Sequence, residues 1–262
     1  TQSTLDQPAR EPVALLRPAF ELVCGQFSFR ERALRAFAPQ QWGVFVRDSL
    51  AEVYREEFPE AHVNAWDWLN QGLTLFLNSQ WLCDAEALRD IVPNTIGVVD
   101  GHVAYACLSP HDAELASIGD VSLMMQQLVR LRDRRVNAPG VWLEHPWQLI
   151  EQNTNLLTRD FASFSRTDGD QRERPDVAIA GQRDQVWIDP TAEIEPYVMI
   201  DARSGPVSIA AGAVVQSFTR IEGPAHIGLG ARLYRASIRS GVTIGEGCRV
   251  GGEVENSILQ AH

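Results

Sequence analysis

The 262-residue sequence contains no lysine; all 23 of its basic residues are arginine. Chemistry that needs a lysine amine, as a Schiff base or a compact phosphate grip, is excluded for this chain acting alone. Cysteine is scarce. Cys24, Cys83, Cys107 and Cys248 form no C-x-x-C pair, and each sits among apolar neighbours. They read as buried free thiols of a reducing cytoplasm rather than as a metal or redox site. No apolar run is long enough to span a bilayer, and Thr1–Arg10 has no signal-peptide pattern. A cytoplasmic protein without a membrane span is expected. Positive charge is in deficit: the net charge of −11 counts against nucleic acid or an anionic membrane surface as a partner. No two histidines or carboxylates show metal-ligand spacing, so no metal site is assigned.

What the sequence has in abundance is a six-residue rhythm. From Val186 to Leu259 aliphatic residues recur at Ile188, Ile194, Ile200, then Ile209, Val215, Ile221, Ile227, Leu233, then Ile238, Ile244, Val250. Four positions after each comes a mostly small residue, among them Ala192, Ala213, Ala225, Ala231 and Ser237. Helices and amphipathic strands have periods of 3.6 and 2 and do not produce this pattern. A hexad repeat is the signature of a parallel β-helix, each hexad making one short strand and one turn. Gly228, Gly245 and Gly251 follow their aliphatic residues, where the backbone must turn. The rhythm slips to nine between Ile200 and Ile209 and to five between Leu233 and Ile238. Both slips read as a bulge or short loop. The repeat is still running at His262, and an open apolar end of such a stack needs a partner or further coils.

The preceding part reads as an α/β domain. Ser28-x-x-Glu31 is a capping box opening a helix that Pro39 ends. Asp48–Glu57 predicts a helix with Leu50, Val53 and Tyr54 on one face. Leu73–Leu77 predicts a buried strand, and Asp84–Ile91 a short helix with Asp84 as N-cap. Thr95–Val99 and Val103–Leu108 predict a hairpin around Asp100-Gly101. Two further helices are expected, Asp120–Arg134 (apolar side Leu123, Met124, Leu128, Leu131) and Pro146–Phe164 (Trp147, Ile150, Asn153, Leu157, Phe161). Strands alternating with helices suggest a Rossmann-like α/β layering. The polar run Ser165–Pro175 reads as an exposed linker. The expected division is 1–180 for the α/β domain and 181–262 for the hexads.

Several local runs carry a resemblance. They are Leu16-Arg17-Pro18-x-x-Glu21-Leu22-x-x-Gly25 with Arg30-Glu31, His145-Pro146-Trp147 with Asp160-Phe161, Gly205-Pro206-Val207, Ile221-Glu222-Gly223-Pro224, and Val250–Ile258. Together they resemble a bacterial family related to the bifunctional N-acetylglucosamine-1-phosphate uridylyltransferase and glucosamine-1-phosphate acetyltransferase. That resemblance implies a sugar-nucleotidyltransferase-like domain followed by a left-handed β-helix acyltransferase domain, here C-terminally truncated. It also implies a homotrimer, since such β-helices place their sites between subunits.

The same resemblance supplies site candidates. Nucleotidyltransferases cradle a triphosphate on a Gly-rich loop and grip it with a cation. This chain lacks that loop, and Arg17 is the surviving cation. The strand Leu73–Leu77, which in the family ends on a Mg²⁺-holding aspartate, ends here on Asn78-Ser79-Gln80. Asn78 is the candidate nucleotide contact there. Mg²⁺ is expected only if nucleotidyl transfer is active. Asp100, the nearest carboxylate alternative, is more simply a turn residue. In the acyltransferase half, Arg239 is the candidate sugar-phosphate contact and Ser257, where the family has lysine, its neighbour one coil on. The donor would be acetyl-CoA or another acyl-CoA. The general base falls beyond His262 by this alignment. His262 itself reads as a frayed terminus, His226 as a solvated side chain and His145 as a local hydrogen-bonding residue.

Three functions follow from these readings. The first is acyl transfer to a sugar or sugar phosphate in nucleotide-sugar or cell-envelope sugar biosynthesis. The second is active sugar-1-phosphate nucleotidyl transfer. The third is a non-catalytic scaffold that binds a sugar nucleotide.

Overall fold

The computed structural model describes residues 14, 16–70, 72–83, 85–89, 91–92, 94–109, 120–130, 135–163 and 175–261. The expected linker Ser165–Pro175, apart from Pro175, lies outside the described residues, as do Asp84, His262 and positions 131–134. The chain divides into two compact units. One is Thr1–Leu22 with Phe29–Pro146; the other is Val23–Ser28 with Trp147–His262. The helix before residue 180, and a hairpin of β1 (Val23–Cys24) and β2 (Phe27–Ser28), therefore group with the hexads.

The first unit is α/β. Helix α1 (Phe29–Phe37) stops where Ala38 turns to φ 43. Strand β3 (Gly43–Val44) pairs in parallel with β4 (His62–Val63), and helix α2 (Asp48–Glu57) lies between them in sequence. A second sheet has the order β5–β8–β7–β9, built from β5 (Thr74–Leu77), β7 (Ile96–Val99), β8 (His102–Leu108) and β9 (Arg135–Asn137). Asp100 (φ 48) and Gly101 (φ 83) make the primed turn between β7 and β8. The second strand begins at His102, one residue earlier than expected, because His102 pairs with Val99. Strand β6 (Trp81–Leu82) pairs with β10 (Val141–Trp142). In the helix Val121–Arg130 the inner side is Val121, Met124 and Met125, whereas Leu123 is exposed. Likewise Val53 of α2 is exposed and Tyr54 buried.

In the second unit the hexads form three parallel ladders. The first stacks β12 (Val186–Ile188), β15 (Val207–Ile209), β18 (Ala225–Ile227), β20 (Val242–Ile244) and β22 (Ile258–Leu259). The second stacks β13 (Glu193–Ile194), β16 (Val214–Val215) and the starts of β19 (Arg232–Ile238) and β21 (Arg249–Val254). The third stacks β11 (Ala178–Ala180), β14 (Met199–Asp201), β17 (Arg220–Glu222) and the ends of β19 and β21. Like positions align: Ile188, Ile209, Ile227 and Ile244 run up the first ladder, and Ile200, Ile221, Ile238 and Val254 up the third. Most of these aliphatics are fully buried, each contributing roughly 1.5–3 kcal/mol. Within the five-residue slip, Arg235 is the extra residue at which the register between β19 and β21 shifts.

The turns between ladders differ in composition. From the first ladder to the second, the left-handed position holds Gly212, Gly230 and Gly247 (φ 63, 61 and 68). From the second to the third, it holds Tyr197, Phe218, Arg235 and Gly252 (φ 65, 65, 49 and 82). A non-glycine residue there costs on the order of 1–2 kcal/mol.

A long helix, Trp147–Ser163, lies against β18 and β20. Trp147 and Ile150, expected on its apolar side, are exposed; the buried positions are Leu149, Asn153, Leu156, Leu157, Asp160 and Phe161. The face is rotated because two polar residues anchor it. Asn153 Oδ1 accepts from Gly25 N at 2.7 Å and from Thr243 Oγ1 at 3.0 Å, while its Nδ2 donates to Gly241 O at 3.0 Å. Asp160 Oδ2 accepts from Gln26 N at 2.9 Å. Gly25, at φ 75, has no room for a side chain: a Cβ would lie 2.3 Å from Asp160 Oδ2.

Candidate functional site

In the first unit, Pro18 leads into a single 3₁₀ turn, Ala19–Glu21, closed by Leu22 N donating to Ala19 O. The turn sets Glu21 beside α1, whose second residue is Arg30. Arg30 Nε and Nη2 reach Glu21 Oε1 and Oε2 at 2.5 and 3.1 Å, a two-pronged ion pair. Tyr54 of α2 donates its hydroxyl to Glu21 Oε1 at 2.6 Å. The Arg30 guanidinium also stands over Phe58 at 4.3 Å and Trp42 at 5.5 Å from the ring centroids. Burial works against the Arg30 charge, but the Glu21 carboxylate outweighs it and holds the guanidinium above its ordinary pKa. Burial first, then Glu21, push the Tyr54 phenol far up. Tyr54 therefore stays a neutral donor.

Arg30 lines a cavity of about 340 Å³, at the lower end of the ~300–1,000 Å³ typical of ligand pockets. Its walls include Phe29, Trp42, Phe45, Trp68 and Phe76, with Gln41, Thr74 and Ser79 as polar points. Gln41 Oε1 is held by Trp68 Nε1 at 2.9 Å. Residues of both β3 and β5 line the cavity although the two strands belong to different sheets.

The sequence-predicted residues fare differently. Arg17 lines a small hollow with Pro18, Val46, Arg47 and Leu50. Asn78 is buried and structural: its Nδ2 donates to Val103 O at 3.1 Å and its Oδ1 accepts from Gln80 N at 3.0 Å. The strand end is a knot of internal bonds, and it does not offer the carboxylate oxygens a hard cation needs. Asp100 sits at a turn tip. Among the described residues no cluster of histidine, cysteine and carboxylate side chains could hold a metal ion. Among the described residues, the end of this strand does not fit a Mg²⁺ site.

In the second unit Arg239 is part of a continuous charge ladder. Asp201 binds Arg203 and Arg220 at 2.6 and 2.7 Å, Arg220 binds Glu222 at 2.7 Å, and Arg239 binds Glu222 and Glu253 at 3.3 and 2.7 Å. Three arginines face three carboxylates, so the ladder has no net charge to offer a phosphate. Hydrogen bonding from Arg203 holds the Asp201 carboxyl down to about 2, against the opposing effect of burial. Ser257 donates its hydroxyl to Glu255 O at 2.6 Å within its own turn. His226, expected to be solvated, is instead partly buried. Its Nδ1 lies 2.8 Å from Ser208 Oγ on the next strand, and burial pushes the imidazole down to about 4.

Glu21 and Arg30 belong to one sequence motif, whereas nothing local marks Tyr54, Trp42 and Phe58 as partners of that pair, and Tyr54 reads as part of an apolar helix face. No curated protein matches the chain. A family model described as sugar nucleotidyl transferase matches residues 7–168, well over half of the sequence. With an α/β unit and this aromatic cavity inside the matched span, the chain belongs to the sugar nucleotidyl transferase family.

Proposed function

We propose that this chain works in nucleotide-sugar biosynthesis, its first unit binding a nucleotide sugar or sugar phosphate in the cavity beside Arg30. The family match over residues 7–168 carries this reading, and the site's chemistry gives it detail. Because Glu21 balances Arg30, the cavity is electrically neutral, and its aromatic walls suit the base or sugar ring of a ligand. Arg17 remains the proposed phosphate contact of the same ligand; the hollow it lines has room for only about 10 Å³, so a phosphate would meet it at the surface. Asn78 drops out, since its amide is committed to the turn. Binding is tested by calorimetry with a panel of nucleotide sugars and sugar 1-phosphates. Saturable binding that Trp42→Ala weakens at least tenfold supports the assignment; no heat with any member of the panel removes it.

Acyl transfer is the second reading. The three ladders with aligned aliphatic residues support a left-handed parallel β-helix of hexapeptide type, the frame on which related enzymes use acetyl-CoA or another acyl-CoA. Arg239 and Ser257 would then face the sugar phosphate, but Arg239 would have to exchange Glu222 or Glu253 for it. Acyl-CoA-dependent modification of amino-sugar phosphates that is lost in Arg239→Gln supports this reading. Turnover unchanged by Arg239→Gln contradicts the role given to that residue.

A further inference from the structure

The wall of the cavity beside Arg30 is drawn from an interrupted stretch of sequence. Phe20 lines it before the hairpin of β1 and β2, and Phe29 and Arg30 line it after. Glu21 and Arg30, which close the ion pair, stand on the same two sides. The hairpin itself belongs to the second unit, so the chain leaves the first unit at Leu22 and re-enters it at Phe29. Both joints are buried. Leu22 directly follows Glu21, and Phe29 directly precedes Arg30. A two-residue turn with glycine first sets such a hairpin by itself, yet this one is tied at every residue from Val23 to Gln26. Gln260 acts as a partner strand would: its Oε1 accepts from Val23 N at 2.8 Å and its Nε2 donates to Val23 O at 3.0 Å. Cys24 Sγ donates to Leu149 O at 3.2 Å. Gly25 N and O are taken by Asn153 and Thr243 at 2.7 and 2.9 Å, and Gln26 N by Asp160 at 2.9 Å. These partners come from the helix Trp147–Ser163, from β20 and from the residue after β22.

We infer that the second unit positions the Glu21–Arg30 pair through this hairpin, with Gln260, Asn153 and Asp160 as the positioning residues. The pair is two-pronged, at 2.5 and 3.1 Å, and a displacement of about 1 Å is enough to lose such geometry. A hairpin freed from its ties lets both members of the pair move, and with them Phe20 and Phe29 on the cavity wall. The linkage is reciprocal: an occupant that fixes Arg30 also holds the hairpin more firmly. That last, functional consequence rests on the cavity being the binding site; the positioning itself does not depend on an occupant.

Gln260→Ala in the full chain tests it. The variant removes both bonds to Val23 and leaves in place the Gln260 carbonyl, which Cys248 Sγ uses. The readout is the Arg30 Nε–H signal in heteronuclear NMR, whose exchange with water the Glu21 carboxylate slows. It is expected to exchange about tenfold faster in the variant, while the backbone amide of Ala106 in β8 exchanges as in the wild type. Unchanged exchange at Arg30, or a rise shared equally by Ala106, would overturn the inference. Calorimetry with the nucleotide-sugar panel adds the functional arm, with binding expected to weaken about tenfold in Gln260→Ala. Wild-type binding that the variant leaves unchanged would overturn the linkage. If the panel gives no binding to the wild type, the binding proposal falls and exchange at Arg30 still decides this one.

Discussion

Removing Asn153 should destabilise the second unit by about 3 kcal/mol. Asn153 is fully buried and satisfies two groups from distant parts of the sequence, Gly25 N–H and Gly241 C=O, while the single Thr243 hydroxyl proton is shared between its Oδ1 and Gly25 O. In Asn153→Ala the Thr243 hydroxyl keeps its bond to Gly25 O at 2.9 Å. The Gly25 N–H and the Gly241 carbonyl lose their partner. Each buried orphan costs about 1–3 kcal/mol, and total stability of an ordinary domain is only about 5–15 kcal/mol. Urea unfolding followed by circular dichroism reads the loss as a lower midpoint at unchanged slope. Asn153→Asp separates the donor from the acceptor. It keeps the oxygen facing Gly25 but turns the group facing Gly241 O into a second oxygen. A buried carboxyl has a raised pKa, and only its protonated form can donate to that carbonyl. The variant's deficit against wild type should therefore be smallest below about pH 4, the ordinary carboxyl range, and grow as pH rises through the raised folded value. A change below about 1 kcal/mol in Asn153→Ala, or a pH-independent deficit in Asn153→Asp, would refute this account of how the helix is held.

Three further outcomes follow from the same geometry. Gly25→Ala combines a left-handed backbone with a Cβ 2.3 Å from Asp160 Oδ2; about 3 kcal/mol is expected to be lost, read as a fall in melting temperature. His226 has its folded pKa depressed from 6.5 to about 4 by burial, so the unfolded state binds its proton first as the pH is lowered. Stability should fall as pH drops from 6.5 towards 4, and the His226→Gln variant should show a flatter profile over that window. Asp201 is also depressed, to about 2 from 3.8, chiefly by Arg203. Its contribution is present above pH 3.8 and lost as pH falls towards 2, and with Arg203 and Arg220 partly in solvent Asp201→Asn should cost about 1 kcal/mol or less at pH 7.

The strand stack was legible because its rule is simple: an aliphatic residue every six positions fixes which side chains point inward. Even the five-residue slip announced the irregularity at Arg235. The helix Trp147–Ser163 was legible as a helix but not in its facing. Periodicity favoured Trp147 and Ile150, and nothing local says that Asn153 and Asp160 are buried by bonds to Gly25 and Gln26, more than a hundred residues away. The candidate site shows the same division. Glu21 and Arg30 lie close in sequence and stood out together, whereas Tyr54 is 33 residues from Glu21 and reads as core. Arg239 looked like a phosphate contact until its neighbours were placed. Glu222 and Glu253 lie 17 and 14 residues away, about one coil in either direction, so the stacking that makes Arg239 prominent also neutralises it.

The central claim is that the first unit binds a nucleotide sugar or sugar phosphate beside Arg30. Its most direct measurement is a calorimetric titration of the full chain with that panel, repeated on Trp42→Ala. Saturable binding by the wild type, weakened at least tenfold in the variant, is the predicted result. Binding unchanged by Trp42→Ala would contradict the cavity assignment, and no binding to any ligand of the panel would contradict the claim itself.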